Sequence, residues 1–333
     1  MCMLNNLINH HDLFAPVIIL RRGRKEFSKA ASRLFRSRTG RVQASWAHTQ
    51  NPPRNWWDIP AVRERWNRCI SGDSRVDYQE YIARKYLAGR VALSALALGC
   101  GSGQRELRWA ELASFSRIAA YDLSEARIRQ ANETAREKGR GGMVAYHVGD
   151  VYRIEMHENR YDVVFGEQAL HHFSPLEELM RRINGCLRPG GYFIVNDFVG
   201  PSRFQFPSRQ IEVVNALLAV FPRRYRVLWN GASLKPKLFR PSRLRMILRD
   251  PSEAVESSNI LPLLRNMFEV VEIKEYGGNI LQLLLSGIGH HFLDGSEESQ
   301  RLLQICFDVE DALLARGEFK SDFIVAVCRK RTG

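Results

Sequence analysis

The chain is poor in cysteine, and the six it has (Cys2, Cys69, Cys100, Cys186, Cys306 and Cys328, among 333 residues) stand far apart. No CxxC pair and no metal-ligand spacing occurs, which excludes a disulfide framework and a zinc-ribbon module and suits a reducing compartment. No metal site is expected. Long apolar runs are missing too. No segment approaches the roughly 20 apolar residues that span a bilayer, and Leu13 to Leu20 is followed by the basic run Arg21 to Lys25 where a signal peptide would carry it first. A cytoplasmic location is the expectation. A third absence concerns glycine: a dinucleotide fingerprint G-x-G-x-x-G would need glycine at position 104, and that residue is Gln104.

With 45% hydrophobic and 26% charged residues, the chain can bury a large core and an accessory lobe, so it is not a disordered protein. Its net charge of +13 is uneven. Residues 1–50 hold nine Lys or Arg against Asp12 and Glu26, residues 201–249 hold eleven against Glu212, and the remainder is net acidic. The basicity therefore sits on appendages. It leaves three readings open: attraction to an anionic acceptor, attachment to nucleic acid or an anionic membrane, or a solvated face.

The most informative stretch is ALALGCGSG, Ala95 to Gly103. A short apolar strand, Val91 to Leu98, breaks into Gly99, Gly101 and Gly103, and a helix over Gln104 to Ser114 offers free backbone N–H groups to an anion. A second strand, Arg117 to Tyr121, ends in Asp122, 19 residues beyond Gly103. In an α/β unit this puts a carboxylate at the tip of the neighbouring strand, within reach of ribose hydroxyls.

The segments YDLSEARIRQAN (Tyr121 to Asn132), YHVGDV (Tyr146 to Val151), YDVVFGEQALHHF (Tyr161 to Phe173) and LRPGGYFIVNDFVGPSRFQ (Leu187 to Gln205) follow in order. With them, residues from about 78 to 200 resemble a class I S-adenosylmethionine-dependent methyltransferase, nearest to the ubiquinone/menaquinone-biosynthesis type of small-molecule enzyme. The resemblance implies an α/β fold, a doubly wound seven-stranded mostly parallel sheet, with a helical cap from the N-terminal region and C-terminal insertions. It also implies S-adenosyl-L-methionine as cofactor. Gly99, Cys100, Gly101 and Gly103 would face its methionine part, Asp122 its ribose, and Leu123, Gly149, Asp150 and Val151 its adenine, while Gly166 and Glu167 would lie beside the methyl group. One position departs from the family pattern: the acid usually found two residues before the first glycine is Ala97 here, and Glu106 is the candidate to replace it.

The expected organisation is a basic extension over 1–53 with one helix (Lys25 to Arg36), a helical cap over 54–90, the cofactor-binding core over 91–199, a basic cap insertion over 200–266 and closing core strands over 267–333, interrupted by helical residues 279–320. Helices are expected over Trp56 to Ile70 and Tyr78 to Leu87, the fifth strand over Tyr192 to Phe198, and the sixth and seventh over Phe268 to Tyr276 and Asp322 to Cys328.

Methyl transfer from a sulfonium needs alignment, exclusion of water and, for some acceptors, a proton acceptor. His171, Glu167 and Asp197 are the candidate bases by position, with His172 reading as a packing or capping residue. Tyr78, Tyr81, Arg203 and His290 are candidates for the acceptor pocket, and Arg209, Arg223, Arg224 and Arg226 supply guanidinium forks that suit a carboxylate or phosphate. The adjacent pair His290 and His291 is a poor metal site. The favoured function is methyl transfer to O, N or C of a small molecule; a homodimer is one assembly left open, since the sequence does not identify the oligomeric state. A nucleic-acid methyltransferase is disfavoured because GEQA (Gly166 to Ala169) replaces the N/D-P-P-Y/F motif. A non-catalytic S-adenosylmethionine-binding protein stays open on the strength of Ala97.

Overall fold

The protein is described by a computed structural model in which residues 55–331 are placed; the expected extension over 1–53, with its helix, lies outside the described residues. Apolar runs interrupted by glycine become strands, and the amphipathic stretches between them become the helices that cover both faces. Seven strands form one sheet in the order β3-β2-β1-β4-β5-β7-β6. They are β1 (Leu93–Leu98), β2 (Phe115–Asp122), β3 (Val144–Val148), β4 (Tyr161–Glu167), β5 (Leu187–Phe198), β6 (Glu269–Glu275) and β7 (Phe323–Arg329). The first five run parallel, and β7 is antiparallel between β5 and β6. The expected mostly parallel, doubly wound sheet is therefore present.

Alternation along β1 separates two cores: Ala95 and Ala97 face one, and Leu96 and Leu98 face the other. After β3 the chain returns across the sheet to β4 beside β1, so the carboxyl ends of β1 and β4 flank the crevice at the switch point.

The helices are α1 (Pro60–Ser71), α2 (Tyr78–Ile82), α3 (Gln104–Leu112), α4 (Glu125–Glu137), α5 (Leu176–Cys186), α6 (Ser208–Val220), α7 (Arg243–Arg249), α8 (Ile260–Met267), α9 (Leu281–Leu285) and α10 (Glu297–Ala315). Helix α5 buries Leu176, Leu179, Met180, Ile183 and Cys186, a three- and four-residue spacing that makes one apolar stripe.

Several boundaries move for local reasons. The helix expected from Trp56 starts at Pro60, whose fixed φ suits the first helical turn, and a separate 3-10 turn covers Trp56–Asp58. The helix from Tyr78 widens into a π-turn over Ala83–Leu87. The first strand begins at Leu93 because Val91 is 77% exposed and Ala92 has φ of 52°. The apolar stretch Ile280 to Phe292 breaks into α9 and a 3-10 turn over Gly289–Phe292, with Gly287 in the left-handed region between them. A larger correction concerns residues 200–266. Helix α8 lies inside that span, yet Ile260 and Leu264 pack with Leu179 and Met180 against the sheet, so the cap insertion ends near residue 259.

Candidate functional site

The turn after β1 is held by backbone. Gly99 N and Cys100 N both donate to Tyr121 O, at 2.8 and 3.1 Å, which ties the turn to the end of β2. Gly99, Gly101 and Gly103 all have positive φ, and two of them are also sterically required. A Cβ at Gly99 would lie 2.5 Å from Ala169 Cβ, and one at Gly103 would lie 2.6 Å from the Tyr146 ring. Tyr146 closes the loop's far side by donating to Gly103 O at 2.6 Å. Asp122 accepts from Gly101 N at 3.0 Å and from Ser124 N at 2.8 Å. Each carboxylate oxygen has one of these bonds and a lone pair left over. Gly149 N donates to Asp122 O at 3.0 Å, which sets the end of β3 beside the end of β2. Asp150 turns its carboxylate back to Tyr152 N, and Val151 is buried. Leu123 is half-buried next to Asp122.

Glu106, in the first turn of α3, is buried, and its Oε2 has no hydrogen-bond partner. Burial, reinforced by the charge of Glu167, pushes its pKa up to about 8. A buried carboxyl group with an open oxygen beside a glycine turn is suited to a cationic ligand group. Ala97, by contrast, is packed in the core.

The second half of the crevice is built by side chains. At the end of β4, Gly166 is closely covered by Leu170, and Glu167 is buried with one donor on each oxygen. Tyr78 Oη donates to Oε1 at 2.7 Å and Trp109 Nε1 donates to Oε2 at 3.0 Å. Burial raises the Glu167 pKa, opposed by Arg105 and by these two donors. Gln168 follows with φ of 53°, and its N–H donates to Asn196 O. A short 3-10 turn, Leu170–His172, then carries the histidines.

Asp197, fully buried at the end of β5, organises that turn. Its Oδ2 accepts from Ala169 N at 2.9 Å and Leu170 N at 2.7 Å, and its Oδ1 accepts from Phe198 N and meets His171 Nδ1. Burial by itself lowers the pKa of His171, but the carboxylate against Nδ1 outweighs it, and the net direction is upward. His172, beside it, is driven well below the ordinary histidine range by burial and then by the neighbouring imidazole.

The insertion completes the cluster. Val255 N donates to His171 O at 3.0 Å, Glu253 Oε1 lies 3.8 Å from His171 Nε2, and Ser252 Oγ lies 3.5 Å from His172 Nδ1. Ala254 is buried with φ of 47°, and Arg203 and Phe204 also have positive φ. Arg203 N donates to Ala254 O at 2.6 Å, and its guanidinium donates to Glu253 O at 3.2 Å.

Among the acceptor-pocket expectations, Tyr78 reaches the site through Glu167, and Arg203 braces the loop that faces His171. Tyr81 does not join them: its hydroxyl donates to Glu272 on β6 at 2.9 Å, in a knot with Tyr86 and Lys85. Nor does His290, whose ring is tilted against that of His291 with centroids 3.8 Å apart in the turn Gly289–Phe292, where His291 Nε2 meets Val227 O. Arg209 and Arg224 are engaged by Glu318 and Glu298. Arg105, Tyr146 and Glu253 were missed by sequence reading. Arg105 shares the buried field of Tyr78, Glu167, Glu106 and Asp197. Nothing in local periodicity marks any of the three.

A glycine turn at the switch point, an acid closing β2 and an acid–histidine pair across β4 and β5 make a nucleotide-type crevice with a chemical group on its rim. Residues 96–195 match the family described as a methyltransferase domain. Over these residues the chain resembles a class I methyltransferase domain. It is 27% identical over 160 residues to 27-O-demethylrifamycin SV methyltransferase of Amycolatopsis mediterranei, over 45% of this chain and 58% of that one. It is 28% identical over 120 residues to a sterol 24-C-methyltransferase of Eremothecium gossypii, over 34% of this chain and 31% of that one. The chain thus spans less than two thirds of the length of these relatives. Its fold is similar to that of geranyl diphosphate C-methyltransferase from Streptomyces coelicolor A3(2), solved with Mg2+, geranyl diphosphate and S-adenosyl-L-homocysteine (TM-score 0.52, 12% identity, 89% of this chain and 99% of that one). The match to that family ends at residue 195, before the insertion that supplies Glu253.

Proposed function

We propose that the chain transfers a methyl group from S-adenosyl-L-methionine to a small-molecule acceptor at O, N or C, with His171 as proton acceptor. The observation that carries this reading is the His171–Asp197 pair on the turn that touches the glycine loop. Asp197 takes Nδ1, which leaves Nε2 directed toward the Glu253 side. A carboxylate behind an imidazole fixes its tautomer and stabilises the cation formed when the proton arrives.

The cofactor fits the residues present. The glycines leave room for its methionine part, the open Oε2 of Glu106 suits its ammonium in place of the missing acid at Ala97, and the spare lone pairs of Asp122 suit the ribose. When bound, it supplies a methyl group already activated by positive sulfur. The protein then aligns the acceptor, keeps water away and takes up a proton at His171 Nε2. Glu167 is assigned a structural part, because each of its buried oxygens already accepts from a neighbouring helix, from Tyr78 on α2 and Trp109 on α3, which holds both against β4. Under this reading the protein acts in a reducing, cytoplasmic setting, consistent with the free cysteines among the described residues, Cys69 exposed and Cys100, Cys186, Cys306 and Cys328 buried. Among the described residues, no helix is long and apolar enough to cross a membrane.

The relatives named for a rifamycin and for sterols favour an apolar polyketide or isoprenoid acceptor. Nucleic acid fits less well, because Arg203, Arg209, Arg224, Lys235 and Arg240 of the basic insertion are spent on protein oxygens. Calorimetric titration with S-adenosylmethionine, followed by transfer of labelled methyl to a panel of polyketide and isoprenoid alcohols, tests the reading. Micromolar binding and a labelled alcohol support it. No binding, or labelling of RNA with steep salt dependence, rejects it.

A further inference from the structure

His171, His172 and Glu253 offer one ligand atom each, all within 4.8 Å of one another. Sequence spacing hides this set, since Glu253 lies on the insertion about 80 residues from the histidines, and only the fold of the strained Asp250–Val255 loop brings it to them. We propose that these three side chains form a binding site for a first-row divalent transition cation, of the class that takes two imidazoles and a carboxylate.

Three geometric observations carry it. His171 Nε2 and Glu253 Oε1 are 3.8 Å apart, less than twice a metal–ligand bond of about 2.0–2.2 Å, so one ion can touch both. His171 Nδ1 is backed by the Asp197 carboxylate, itself fixed by three backbone N–H groups. Such a carboxylate–histidine arrangement orients a ligating imidazole and raises its basicity. His172 sits next to His171 on a 3-10 turn rather than an α-helix, its ring tilted by 43° against that of His171 with centroids 4.0 Å apart, and Ser252 Oγ stands 3.5 Å from its Nδ1. Two imidazoles and one carboxylate match zinc and iron(II) better than magnesium or calcium, which prefer all-oxygen sets. The Glu253 side chain is 25% exposed, so the site opens toward solvent on that side. Three protein donors leave a tetrahedral ion one position for an outside oxygen.

The proposal is about binding and meets the methyl-transfer reading at one atom, His171 Nε2. A cation on Nε2 takes the lone pair that would accept a proton, so metal uptake and proton uptake at that atom exclude each other.

The test is titration of chelator-treated full-length protein with Zn2+ by calorimetry and with Co2+ by visible absorption, repeated with His172→Ala, Glu253→Gln, Asp122→Ala and His290→Ala. Circular dichroism checks that each variant is folded. One ion per chain is expected, with at least tenfold weaker uptake in His172→Ala and in Glu253→Gln and unchanged uptake in Asp122→Ala and His290→Ala. Absence of uptake, uptake that ignores both ligand substitutions, or uptake lost with His290→Ala overturns the proposal. S-adenosylmethionine titration of the same proteins reads the cofactor side separately: Asp122→Ala should lose cofactor and keep metal.

Discussion

The two halves of the crevice are held by different means. On the cofactor side, the turn after β1 is tied by its own backbone and by an acid only 19 residues beyond Gly103. On the acceptor side, Asp197 meets His171 across 26 residues, and Glu253 arrives from an insertion outside the methyltransferase domain. A locally tied half is set by residues close in the chain, whereas a half assembled from distant segments depends on how those segments pack. The family match ends at residue 195, before the insertion begins.

The comparison breaks most visibly at His171. Replacing it with Ala should lower kcat with a hydroxyl acceptor by about 10²–10⁴, the usual worth of a positioned base, while calorimetric affinity for S-adenosylmethionine stays within about threefold. Equal loss of both would mean that the halves are not separable. Asp122→Ala is the converse. It removes two charged hydrogen bonds within the loop, and the loss of the proposed ribose contact alone should lower cofactor affinity by about 10–100-fold, from roughly 1.5–3 kcal/mol for one bond to a charged group. Amide exchange at Gly101 should speed up in the same variant.

Gly103→Ala probes the backbone half without touching charge. The new methyl would meet the Tyr146 ring in a backbone conformation with φ of 80°. A loss of about 1–3 kcal/mol is expected for overpacking of this kind, read as a lower Tm. A smaller effect is one of pH. In the free protein Glu106 is neutral below about 8, and a cationic ammonium favours its ionised form, so binding expels a proton. Affinity should therefore rise as pH climbs from 6 to 8 and level off above. Glu106→Gln should flatten the part of this slope that belongs to the protein. An unchanged slope would assign the titration to the cofactor amine. Smallest of all is Tyr81→Phe, expected to change acceptor kinetics by less than about twofold, since its hydroxyl serves Glu272 on β6.

Most of the cofactor half was legible in the sequence. Glycine spacing, an apolar strand and a later acid are local patterns, and each has one physical meaning when they occur in order. Asp197 and His171 were picked by position, and the structure joins them. Glu167 shows the limit of that reasoning: its place at the strand end was legible, but that Tyr78 and Trp109 converge on it from separate helices, one donor on each oxygen, was not. Tyr81 and His290 fail for the same reason in reverse, because a helical aromatic or an adjacent histidine pair does not tell which neighbour it will meet.

The sequence by itself determined the sheet, the turn that precedes α3 and the acid that closes β2, because these follow from short-range conformational and hydrophobic preferences. The tertiary structure alone decided that Glu106 keeps a buried open oxygen, that Arg105 lies among four acidic or phenolic groups, and that Glu253 faces His171. Those facts depend on burial and on contacts between segments remote in the chain, and no local pattern encodes them.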